Sequence, residues 1–134
     1  MTDADISCRR LFLIDLDRAG SAKAPATDDE IRRAAEVADN IEAWFREREG
    51  EVPTRVLSGN GIHLYYELDD LPNDDASREA CKALLSNLAA KFDTTEVKVD
   101  KVVFNASRIT KVPGTTAYKG QANPDRPYRT AVIL

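Results

Sequence analysis

An α+β fold is predicted by three observations. Short apolar runs alternate along the chain with two long segments of helical spacing, their order is β-α-β-β-α-β, and glycine or proline punctuates most of the joints. The first run, Leu11–Asp17 (LFLIDLD), reads as a strand, with Phe12, Ile14 and Leu16 on one face and Asp15 and Asp17 on the other. After a small-residue loop, Thr27 and Glu30 have the spacing of a capping box. Ile31, Ala34, Ala35, Ala38, Ile41 and Phe45 then repeat at helical intervals, and Gly50 stops the helix. Trp44 and Phe45 read as packing residues of this helix.

Beyond Pro53, Thr54–Leu57 is the second strand, SGNG the turn, and Ile62–Leu68 the third strand of a hairpin. Leu71–Asp75 is a polar loop containing Pro72. A second amphipathic helix follows, with Cys81, Leu84, Leu85, Leu88, Ala89 and Phe92 on one face. The valine-rich segment Glu96–Phe104 is the fourth strand. The remainder is loop-like through Gly114 and Gly120 and closes on a short strand, Thr130–Leu134. This order is the split-βαβ, ferredoxin-like arrangement: an antiparallel sheet with both helices on one face, leaving the other open for a ligand. At 134 residues, without an internal repeat or linker, residues 1–134 read as a single domain.

Composition narrows the function classes. The acidic start MTDADISCRR has no apolar core of a secretory signal, and no run reaches membrane-spanning length, so a cytoplasmic setting is expected. Cys8 and Cys81 have no spacing of a disulfide framework or zinc site, and one histidine excludes a His-rich metal centre. Charge is uneven: from Lys98 onward seven Lys/Arg face only Asp100 and Asp125, net +5, so residues 1–97 carry −9 of the overall −4. Such a basic third can bind phosphates on an acidic protein, although a solvated basic face has the same composition.

Alternation then sorts the chemistry. Asp15 and Asp17 sit on one strand face with Cα atoms ~7 Å apart. With Val97 and Val99 toward the helices, Asp100 turns to the open side. With Ile62, Leu64, Tyr66 and Leu68 as the apolar set, His63, Tyr65 and Glu67 take the opposite face. Three clustered carboxylates repel one another unless cations neutralise them. Oxygen-only ligands suit Mg²⁺ or Mn²⁺, and two such ions about 3.5–4 Å apart suit nucleotidyl transfer. A lone D-x-D is weak evidence, since strand-end aspartates are commonly solvated. A lone histidine is more often structural than functional, and S-x-N-G turns are ordinary hairpin chemistry, yet their glycines also let backbone N–H groups approach phosphate.

In this arrangement the chain resembles the catalytic core of the archaeo-eukaryotic primase superfamily, of the primase-polymerase type found in phages, plasmids and mobile elements. FLIDLD resembles the first motif, a strand ending in two metal-binding acids. SGNGIHLYYEL resembles the second, a Ser-Gly-x-Gly-x-His segment that holds the incoming triphosphate. VKVDKVVFNASRITKVPGT resembles the third, an aspartate followed by an Asn-x-x-Arg pair, and YKG and RPYR resemble segments downstream. The resemblance implies that Asp15, Asp17 and Asp100 bind two Mg²⁺ or Mn²⁺ ions. It implies nucleotide contacts from Ser58, Gly59, Gly61, His63, Asn105, Arg108 and Lys119, with Arg126 and Arg129 as weaker candidates. The implied activity is template-directed DNA primase or polymerase chemistry. Its implied partners are nucleoside triphosphates, single-stranded DNA template and primer, and a helicase or other replication module. Family members usually carry further sequence around this core, so the chain reads as a minimal core or an excised fragment.

Competing readings differ in what they need. A non-catalytic RRM-like single-stranded nucleic-acid-binding module would present aromatics on the open face, where this chain puts acids and only Tyr65. A replication-initiator endonuclease would need a histidine pair. A nucleotidyl cyclase would not be expected to carry the Ser-Gly-x-Gly-x-His segment.

Overall fold

The alternation of FLIDLD becomes strand β1 (Cys8–Arg18) in a computed structural model that describes residues 2–20, 23–106 and 113–134. Phe12, Ile14 and Leu16 are buried, while Asp15 and Asp17 point to the other side. Helix α1 (Asp28–Glu49) starts where the capping box predicts. Thr27 Oγ1 accepts from the Glu30 N–H at 3.1 Å, and the Glu30 carboxylate accepts from the Thr27 N–H at 3.2 Å. Gly50 ends it in a left-handed conformation at φ +69°, its N–H returning to Arg46 O.

Strands β2 (Thr54–Leu57) and β3 (Ile62–Pro72) form the predicted hairpin. The Ser58 N–H donates to Gly61 O at 3.0 Å, leaving Gly59 and Asn60 as a two-residue loop. Gly59 has φ +108°, as the first position of a primed hairpin turn requires. Helix α2 (Asp75–Phe92) is capped by Asp74, whose carboxylate accepts from Ser77 N–H at 2.8 Å. Strand β4 is Val97–Val99. Beyond it, β5 (Thr116–Ala117) and β6 (Arg129–Thr130) form a two-stranded sheet, and β7 (Val132–Ile133) joins the main one.

The main sheet is antiparallel with order β4-β1-β3-β2-β7. One continuous core joins its inner face to both helices: Ile14, Leu16, Ile62, Leu64, Val97 and Val99 meet Ala38 and Ile41 of α1 and Leu85 and Leu88 of α2. Trp44 lies against Phe45 and Phe92 in edge-on contacts, as a packing residue. The predicted βαββαβ architecture is therefore observed. Both cysteines are free. No helix among the described residues is long and apolar enough to cross a membrane.

Three boundaries differ from expectation. β3 runs through the expected loop to Pro72 because β1 begins earlier, at Cys8, and pairs with it beyond a bulge between Arg9 and Leu11. Proline is tolerated there because it ends the strand. β4 stops at Val99 rather than Phe104. Asp100 Oδ1 accepts from Val102 N–H at 2.9 Å, a local turn that competes with the ladder and swings the chain away. The closing strand is split at Ala131, which is fully buried between β6 and β7.

The C-terminal segment is tied to the start of α1. Arg126 reaches both Glu30 and Pro25 O, and Arg129 reaches Asp28 at 2.6 Å and Ala26 O at 2.5 Å. Glu30 also pairs with the buried Arg18 at 2.7 Å, and these partners hold its carboxyl below the usual range. Removing the cap with Thr27→Ala is expected to lower stability by about 1 kcal/mol in urea unfolding. A side-chain carbon at Gly61 would collide with Leu16 O and lie 2.8 Å from Asp17 Oδ1. Gly61→Ala is expected to cost more than the cap, about 1–3 kcal/mol, since a carbonyl inside a paired strand cannot retreat alone. A wild-type urea midpoint for Gly61→Ala would contradict this close approach.

Candidate active site

Register brings the acids together. β1 lies between β3 and β4, and Asp15 is paired across the strands with His63, which puts both side chains on the face away from the helices. On the other side, the Asp100 N–H donates to Asp15 O at 2.9 Å, continuing the ladder in which Leu16 opposes Val99. Asp17 is two residues along β1 from Asp15. One carboxylate oxygen from each of Asp15, Asp17 and Asp100 lies within 4.8 Å of the others.

The electrostatics of the cluster are unbalanced. Asp15 Oδ1 is fully buried and accepts no hydrogen bond, although His63 Nε2 stands 3.3 Å away. The two side chains are close, but without the alignment of a hydrogen bond. The Asp17 carboxyl is pushed up to about 6, first by burial and then by repulsion from Asp15 and, less, Asp100. Its residue as a whole is exposed, but its carboxylate is walled in on one side, where the Gly61 backbone closes against it. His63 and Lys119 act in the opposite direction. An all-oxygen donor set with one orphaned buried oxygen fits a hard divalent cation such as Mg²⁺ or Mn²⁺.

His63 is buried, 7% exposed, yet on the face opposite the helices. Its Nδ1 lies 3.3 Å from Tyr65 Oη, so the ring spans from a carboxylate to a phenol. Ser58 Oγ donates to Gly61 O at 3.1 Å, so its hydroxyl proton closes the turn. Gly59 and Gly61 are both buried against protein. A side-chain carbon at Gly59 would lie 2.7 Å from Ala117 Cβ, and Gly61 faces Leu16 and Asp17. The glycines thus serve close approach of backbone to neighbouring strands. Asn105 lines a separate cleft of about 310 Å³ with Arg9, Leu11, Leu13, Tyr65 and Phe104, linked to the acids through Tyr65 and His63. Arg108 lies outside the described residues. Arg126 and Arg129 are engaged with Glu30 and Asp28, in a fold-holding role.

Sequence reasoning gave no part to three residues here. Lys98 is the cross-strand partner of Asp17, and the same period-two alternation that selected Asp100 also selects it. Asn60 Oδ1 accepts from Ala26 N–H at 2.9 Å, tying the turn to the lead of α1, and no local pattern announces it. Arg9 is buried and donates to Phe104 O at 2.6 Å, anchoring the turn that follows Asp100.

No protein-family model matches the sequence, and no curated protein matches it. Among solved structures the chain is similar to the polymerase domain of Mycobacterium tuberculosis Ligase D, solved in complex with DNA. The TM-score is 0.56 at 23% sequence identity, over 90% of this chain and 44% of that one. This chain therefore spans less than half the length of that structure. At this identity, the shared property is the fold.

Proposed function

We propose that this chain is a template-directed nucleotidyltransferase of the primase-polymerase type. The observation that carries the reading is the convergence of Asp15 and Asp17 of β1 with Asp100, which follows β4, with Asp15 Oδ1 buried and lacking a donor. The likeness in fold to a polymerase domain supports it, as do the first and third sequence motifs, whose acids cluster, and the second, whose His63 is paired with Asp15. In the reaction, a 3′-hydroxyl attacks the α-phosphorus of a nucleoside triphosphate in line. The new O–P bond forms as the bond to the β-phosphate oxygen breaks, and pyrophosphate leaves.

Asp15, Asp17 and Asp100 would hold the divalent ions. When bound, such ions lower the pKa of the attacking hydroxyl and neutralise charge on the leaving group. Lys119, on the Asp17 side, would add a cationic phosphate contact. Ser58, with its hydroxyl proton committed to Gly61 O, would contribute through the turn it closes. The role proposed for His63 is a triphosphate contact, made when one ring nitrogen leaves Asp15 or Tyr65 for a phosphate oxygen. Asn105 would contact the nucleotide from the adjacent cleft, and Arg108 belongs to the same expectation. The protein's share of catalysis is positioning and charge stabilisation. A partnership with a helicase or other replication module belongs to the same reading.

Primer extension on single-stranded DNA with Mg²⁺ or Mn²⁺, with each nucleotide set, tests the proposal. Asp15→Asn and Asp17→Asn are each expected to reduce incorporation by at least about 10²-fold, the loss of transition-state charge stabilisation, with the fold intact. Wild-type rates in both variants would refute the acid assignment. Binding of RNA that persists undiminished in EDTA, with no incorporation, would favour the RRM-like binding module instead.

A pH dependence follows from Asp17. Its raised pKa means that, without cations, folding stability falls as pH rises through about 6 and the carboxylate becomes charged. A bound cation reverses the repulsion only where the acids are ionised. The rise in Tm caused by Mn²⁺ is therefore expected to be larger at pH 7.5 than at pH 5. Equal rises at both values would contradict carboxylate ligation.

A further inference from the structure

The β5–β6 hairpin carries an aromatic pair that neither the core nor the acid cluster uses. Tyr118, just after β5, is 74% exposed and meets Tyr128, just before β6, edge-on with ring centroids 5.2 Å apart. An exposed tyrosine is usually mobile, but this pair is held. Tyr128 Oη donates to Gly120 O at 2.5 Å, and Thr116 and Thr130 join their hydroxyls across the hairpin at 3.0 Å. Gly120, at φ +66°, presses against the backbone of Lys23 so closely that no side chain fits.

The position of the pair is as informative as its rigidity. Ala117, immediately before Tyr118, packs on Gly59 of the hairpin turn, and Gly61 of that turn packs on Leu16 and Asp17. The hairpin that carries the rings is therefore packed, through Ala117, against the turn that closes on Asp17. Lys119, next to Tyr118, is exposed and acts on Asp17. An open aromatic surface with an adjacent cation, on the +5 part of the chain, is the combination that single-stranded nucleic acids use. Small ligands are instead held in concave sites that bury most of their surface.

We infer that Tyr118, braced by Tyr128, is a stacking platform for a base of the single-stranded DNA template beside the acid cluster. The inference rests on the nucleotidyltransferase reading for the identity of the strand, but its test does not use incorporation.

Binding of a fluorescently labelled oligothymidylate by the full chain, followed by anisotropy, is the measurement. Tyr118→Ala is expected to weaken binding roughly 5- to 150-fold, the range of about 1–3 kcal/mol per stacked base, whereas Tyr118→Phe keeps it. The Mn²⁺-induced rise in Tm should be unchanged in both variants, since neither touches the acids. Wild-type affinity in Tyr118→Ala, or no oligonucleotide binding by the wild type, would overturn the inference. Equal losses in the Ala and Phe variants would overturn stacking in favour of the hydroxyl. A loss confined to nucleoside triphosphate binding would assign the platform to the incoming nucleotide, overturning it for the template. Failure of the nucleotidyltransferase reading would appear elsewhere, as no metal-dependent incorporation by the wild type.

Discussion

β1 is hydrogen-bonded on both sides, and the register of those two ladders is the constraint on which the site depends. Side chains alternate with period two, so a slip of one residue would turn Asp15 and Asp17 into the helices and Ile14 and Leu16 into water. The opposite arrangement is held by burial. Ile14, Leu16, Ile62 and Leu64 are fully buried, and each such side chain contributes roughly 1.5–3 kcal/mol relative to exposure. Gly61 adds a steric lock, because only a residue without a side chain lets β3 sit against Leu16 O and Asp17. The apolar face thus sets where the acids go.

The acids in turn give the site its bias. Carboxylates from Asp15, Asp17 and Asp100 within 4.8 Å of one another are unfavourable as anions, and the raised pKa of Asp17 reflects its burial first and that repulsion second. Nearby cations relieve it only partly. Arg18, which follows Asp17, turns instead to Glu30 and Pro25 O, away from the cluster. That choice links the two halves of the molecule. Glu30 caps α1, receives Arg18 and receives Arg126, so helix start, central strand and C-terminal segment meet on one carboxylate. Arg18, Arg126 and Arg129 pair with acids at the start of α1 and so help to assemble the fold.

Much of this was legible in the residues. The capping box at Thr27, the stop at Gly50, the hairpin at Gly59–Asn60 and the alternation in β1 and β3 are local signals, and each element appears at or near its expected place. That His63 shares a face with Asp15 followed from alternation, while their cross-strand pairing came only with the register of β1 against β3. What was illegible depended on long-range partners. The length of β3 is set by its pairing with β1, and the early end of β4 by one Asp100 side-chain bond. The roles of Asn60, Arg9, Arg126 and Arg129 lie in contacts across 34 to 103 residues of sequence, which no local pattern encodes. The burial of Gly59 and Gly61 against protein is of the same kind: the motif announces close approach, and the partner is known only from the fold.

The central claim is that Asp15, Asp17 and Asp100 form a cation site that serves a nucleoside triphosphate. A crystal structure grown with Mn²⁺ and a non-hydrolysable deoxynucleoside triphosphate tests it most directly, because manganese is located by its anomalous scattering. The account predicts anomalous peaks bridging the carboxylates of Asp15, Asp17 and Asp100, with phosphate oxygens completing the coordination and Lys119 turned toward them. A nucleotide bound elsewhere on the molecule, with no manganese at the three acids, would contradict it.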